Sequence, residues 1–190
     1  DVDQNRSGGT FKKFPDAKPY RDFRKMFDEL EKEAPLEFVG VSGFERIRAA
    51  GVISVMSNVI PAAIQRLTEL AASGQLAAAT SWATTLQPLL GIVGVTTVET
   101  SPHGPVQCRA RNPLPIKTLM RVLGMPAGPC RQPLGRMTAA GLRKVLEAAR
   151  AVHAADPGVL APVGEFFGVD VEARLNAPAA ELEALTYQGY

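Results

Sequence analysis

Segment after segment of this chain carries apolar side chains three or four residues apart, the spacing of one helical face, and this limits it to a largely helical fold. The spacing predicts a helix over 19–33 with Tyr20, Phe23, Phe27 and Leu30 inward. Another begins at Pro61, which suits a first helical turn; Ile64, Leu67 and Leu70 form its stripe and Gly74 ends it. Residues 75–92 predict a helix with Leu76, Trp82, Leu86 and Leu89 inward and Pro88 kinking or ending it. Helices are expected again over 116–123 and 138–152, the latter capped by Thr138 and carrying Leu142, Val145, Leu146 and Ala149 inward. Residues 159–175, with Leu160, Val163, Phe166, Phe167 and Val171, hold too much apolar surface to be left in solvent, whereas the final residues are expected to fray.

Two short stretches break the helical pattern. Residues 37–42 and 51–55 are β-branched runs bounded by glycine and serine, and they read as strands. Neither alternates with polar residues, which suits strands covered on both faces in a parallel sheet. The link between them, 44–50, is short for a crossover that usually takes about a dozen residues. Residues 94–111, rich in threonine and carrying Pro102, Gly104 and Pro105, read as a loop or a short hairpin. The expected class is α/β, mainly helical.

Composition excludes several functions. With 46% hydrophobic and 21% charged residues the chain has the make-up of a globular protein. A net charge of +2 calls for no nucleic-acid partner. No run of about 18 apolar residues is present, so no membrane partner is expected. The first residues have no apolar signal core, and a cytoplasmic location is expected. Asp1 stands where an initiator methionine would, which suggests a piece or processed form of a longer chain.

Cys108 and Cys130 are expected to be reduced thiols, because neither has a partner at metal-site or redox-motif spacing. His103 and His153 have no acid at triad or metal spacing and read as surface histidines; no metal or cofactor is expected. Residues 1–35 balance eight Lys/Arg against eight Asp/Glu, the pattern of a solvated face. Arg109, Arg111, Lys117, Arg121, Arg131 and Arg136 make a basic stretch that either is solvated or holds a carboxylate or phosphate.

Three stretches carry a family resemblance: Val41-Ser42-Gly43, Gly51-Val52-Ile53-Ser54-Val55-Met56-Ser57-Asn58 and Asn112-Pro113-Leu114-Pro115-Ile116-Lys117. In order and content they resemble the dihydrodipicolinate synthase and N-acetylneuraminate lyase family over about residues 36–175. The resemblance implies the last two parallel strands of a (β/α)8 barrel and their helix over 36–74, then a C-terminal helical extension over 75–190. A complete barrel needs eight strands and typically about 250 residues, more than this chain supplies. The implied chemistry is a Schiff base between an α-keto acid such as pyruvate and a lysine on barrel strand six, aided by a strand-five tyrosine. Neither segment is among these 190 residues. By resemblance Ile53 would line the pyruvate pocket and Gly43 the adjacent strand-end loop, and no residue of the chain is assigned a catalytic role. A homo-oligomer is left open.

A Schiff-base lysine must be partly unprotonated, which requires a desolvated pocket. Lys12, Lys13, Lys18, Lys25 and Lys32 lie in the charged N-terminal part and Lys144 on a polar helix face, so only Lys117, after a proline turn, is a weak candidate. A second resemblance covers 1–33: Asp1-Val2-Asp3, Phe14-Pro15-Asp16-Ala17-Lys18 and Tyr20-Arg21-Asp22-Phe23 look like glucose-fructose oxidoreductase-type dehydrogenases, which implies a Rossmann-like fragment, a strand end and the amphipathic helix, over 1–35. Asp1 would match their ribose-binding acid, yet the glycine-rich phosphate turn is not in the chain, so NAD binding has no support here. Three expectations therefore stand together: a keto-acid lyase fragment inactive by itself, a fragment of an NAD-dependent oxidoreductase fused to it or replacing it, and a noncatalytic helical interaction module.

Overall fold

A computed structural model describes residues 51–187, together with Lys12, Lys13, Pro15, Asp16 and Lys25. The helix expected over 19–33, the strand over 37–42, Gly43 and the link 44–50 lie outside the described residues. The chain divides between Val52 and Ile53, and every element below belongs to the second unit.

The strand expected over 51–55 is not one. Gly51–Ser54 have no regular structure and Val55–Asn58 form a 3-10 turn. Ser54 explains the difference: its hydroxyl accepts from the Met56 amide at 3.2 Å and its carbonyl from the Ser57 amide at 3.1 Å. These local bonds take backbone groups that a strand would offer to a neighbour.

Helix α1, Pro61–Ala72, starts on its proline and ends in a Schellman turn, with Gln75 N–H donating to Leu70 O and Gly74 N–H to Ala71 O. Gly74 sits at φ +76°, where a side chain would be strained. Helix α2, Leu76–Gly91, runs through Pro88 for most of another turn. Leu86 and Leu89 are buried, as their spacing requires, but Leu76 is 38% exposed because it begins the helix. Trp82 is half-buried between α1 and α2: its indole N–H donates to Ala63 O at 2.9 Å, and the Arg66 guanidinium lies 4.2 Å from the ring centre.

Residues 94–111 form the hairpin alternative, β1 (Gly94–Ser101) and β2 (Gly104–Arg111), paired antiparallel from Gly94↔Arg111 to Ser101↔Gly104. Among the described residues this antiparallel ribbon is the sheet; the pairing expected of 37–42 with 51–55 lies partly outside them. One face of β1 packs on α4, and the Lys144 ammonium of α4 donates to Thr96 O at 2.8 Å.

Helix α3, Leu114–Val122, begins two residues earlier than its stripe suggests, with Pro115 in the first turn. Helix α4, Ala139–Ala155, is the central element, packed against α2, β1 and α3. Its Leu142, Val145, Leu146, Ala149 and Val152 are buried.

The tail folds into α5 (Ala161–Phe167), α6 (Val171–Leu175) and α7 (Ala179–Leu182). Val163, Val171 and Leu175 are buried, whereas Phe166 is 83% exposed and stacks edge-on against Phe167 at 4.9 Å. The segment beyond α7 does not fray as far as Tyr187: Met137 N–H donates to Leu185 O and Tyr187 N–H to Met137 O, a bridge that buries Leu185 and Thr186.

Candidate functional site

The hairpin register decides which side chains meet α4. Val95, Thr97 and Glu99 share a face of β1, with Ala110, Cys108 and Val106 opposite them on β2. Thr138 caps α4, its hydroxyl accepting from Gly141 N–H at 2.9 Å. That hydroxyl lies 3.2 Å from the Thr97 hydroxyl, although the residues are 41 apart in sequence. Both side chains are over nine-tenths buried, at 7% and 9% exposure.

Around this pair the chain encloses a cleft of about 240 Å³, bounded by Cys108 and Arg109 of β2, Arg136 and Met137 of the loop before α4, and Tyr187. A smaller hollow of about 20 Å³ adjoins it, sharing Leu114 and Arg136 and bordered by Lys117, Arg121 and Cys130. Glu99 stands behind the threonine pair. The Thr138 hydroxyl first, then that of Thr97, hold its carboxyl below the usual value, against partial burial that pushes it up; Arg143 adds a weaker pull downward. Its Oε1 is buried and has no hydrogen-bond partner among the described residues.

The expected site residues are not gathered at this cleft. Ile53 is 93% exposed and borders neither hollow. The Lys117 ammonium donates to Pro129 O at 3.1 Å, and Lys144 is held on Thr96 O. Lys12, Lys13 and Lys25 are exposed. His103 is exposed in the hairpin turn, but His153 is no surface histidine: it is half-buried, with Nδ1 buried and unpartnered among the described residues. Cys108 and Cys130 are free, half-buried thiols. No group of three His, Cys, Asp or Glu able to hold a metal occurs among the described residues, and no helix there is long and apolar enough to cross a membrane.

The threonine pair and Glu99 escape sequence reasoning because only the fold brings β1 onto the start of α4. Of the basic stretch, Arg109, Lys117, Arg121 and Arg136 border the two hollows, whereas Arg111 and Arg131 do not.

Residues 43–152 match the model of the dihydrodipicolinate synthetase family. The 4-hydroxy-tetrahydrodipicolinate synthase of Methanoculleus marisnigri is 33% identical over 135 residues, 66% of this chain and 42% of that protein. That of Halorhodospira halophila is 31% identical over 125 residues, 66% and 37% of the two chains. That of Xanthomonas axonopodis pv. citri is 37% identical over 92 residues, 48% and 26%. The chain thus spans less than half the length of these relatives. No solved structure matches it. The family's own pattern takes in more than half of the residues, from Gly43 through the cap and most of α4, and on that ground the chain belongs to the dihydrodipicolinate synthetase family.

Proposed function

We propose that these residues are the C-terminal part of a lyase or aldolase that joins or cleaves α-keto acids through a lysine Schiff base, with the reactive lysine on a segment outside them. In this reading 36–74 completes a (β/α)8 barrel, 75–190 is its helical extension, and Ile53 and Gly43 line the keto-acid pocket. The family membership supports the reaction class.

The state of the lysines carries the reading. A Schiff-base lysine needs a desolvated position to lose its proton near neutral pH. Among the described lysines, Lys12, Lys13 and Lys25 are exposed, and Lys117 and Lys144 reach backbone carbonyls at the surface. None has the enclosed surroundings the chemistry requires.

Borohydride reduction in the presence of pyruvate, followed by mass spectrometry of the 190-residue chain, tests this. The expected result is no stoichiometric adduct. A stoichiometric adduct at one lysine, Lys117 above all, would overturn the assignment of the chemistry to a segment outside the chain.

A further inference from the structure

The basic stretch over 109–136 has two readings in the sequence, a solvated face or an anion site, and the fold separates its members. Four of its six cations border two adjoining hollows, and among the described residues no aspartate or glutamate borders either one. Arg136 belongs to both. We propose that the cleft and its adjoining hollow form one binding site for a small anion of the carboxylate or phosphate class, anchored by Arg136.

Three other cations of this unit are committed to backbone carbonyls. Arg150 donates to Leu175 O, Arg174 to Val122 O and Arg121 O, and Lys144 to Thr96 O. Lys117 is held on Pro129 O, and Arg109 alternates with Cys108 and Ala110 onto the opposite face of the hairpin, whereas the Arg136 side chain makes no hydrogen bond or ion pair with any described residue, so its forked donors remain for a ligand. On the cleft floor the Thr97 and Thr138 hydroxyls are taken up by each other and by Glu99, so what the floor offers an anion is the first turn of the 17-residue α4, whose positive end favours negative charge. Glu99 is the opposing charge nearby. It lies beyond the threonine pair and outside the lining, where Arg143 draws on it.

Size limits the ligand. At about 240 Å³ and open to solvent on one side, the cleft has room for a compact organic acid or a phosphate group. The site stands or falls separately from the lyase reading, since its lining contains no residue assigned to the keto-acid pocket.

The test is a ¹⁵N NMR titration of the whole chain with sodium succinate and, separately, sodium phosphate, each against sodium chloride at equal ionic strength. Saturable shifts at the Gly135 and Gly141 amides are expected with at least one probe. Saturation by succinate alone assigns carboxylates, by phosphate alone phosphates, and by both the shared anion chemistry. Arg136→Gln should weaken binding about tenfold or more, while Arg131→Gln, outside the lining, should bind as the parent does. Arg136 is exposed and pairs with no described residue, so its replacement should leave the amide spectrum folded; if it does not, Arg121→Gln interrogates the same site. Shifts that never exceed those of chloride, or equal losses in the Arg131 and lining variants, would overturn the proposal.

Discussion

Leu119 is fully buried on α3, on the stripe that its spacing from Ile116 and Val122 defines. Leu119→Ala should therefore cost about 2–5 kcal/mol, a large share of a domain's total, read as a lower urea midpoint. Leu76→Ala, at an exposed helix start, should change stability by about 0.5 kcal/mol or less. Glu99 gives a pH signature. Its folded carboxyl titrates below the ordinary value of 4.5, so the ionised form stabilises the fold. That contribution is fully present above the unfolded value and disappears as the pH falls through the lower folded one. Glu99→Gln removes it, so the melting temperature of the variant should fall less steeply on acidification than that of the parent. Equal slopes would show that the threonine hydroxyls do not favour the charged form.

At the level of elements, the loop before α4 depends on Gly135, which sits at φ +58°. A Cβ there would run into the Tyr187 hydroxyl and ring. Gly135→Ala adds this clash to a strained backbone, and a loss of about 1–3 kcal/mol is expected, with release of the 185–187 segment from Met137 seen as faster amide exchange at Tyr187. The helices are the part of the fold legible in the sequence, because burial on one side imposes the 3.6-residue stripe seen at Leu86 and Leu89 or at Val145 and Ala149. The run 51–55 misleads because β-branched composition measures fitness for a sheet, not the presence of a neighbour, and Ser54 supplies a local alternative. The hairpin is half legible: Pro102 and Gly104 announce a turn, but only the register shows Thr97 facing Thr138. The cleft was legible only as a basic stretch, since contacts between residues 41 apart leave no local pattern.

For the molecule as a whole, the question is whether this unit completes an active site supplied from elsewhere. Its buried side chains run from Met56 to Thr186, and α4 gathers α2, β1 and α3 around itself. A unit with its own core can dock onto a barrel without being refolded by it. The family relatives are more than twice the length that this chain covers, which leaves room for strands carrying a lysine and a tyrosine outside it. Joining the first six barrel strands of the Methanoculleus marisnigri synthase to this chain tests the idea directly. The fusion should form a reducible pyruvate adduct at the lysine of the sixth strand, while neither half alone does, because only the closed barrel desolvates that amine. Ile53→Asp in the fusion should lower trapping if Ile53 lines the pocket, with circular dichroism checking that the helices persist. A fusion that is folded yet silent would place the fault in the link 44–50, whose seven residues are few for a crossover between parallel strands, and lengthening that link should then restore the adduct. Silence after lengthening as well would mean that this chain cannot close a lyase barrel, and the lyase reading would fall.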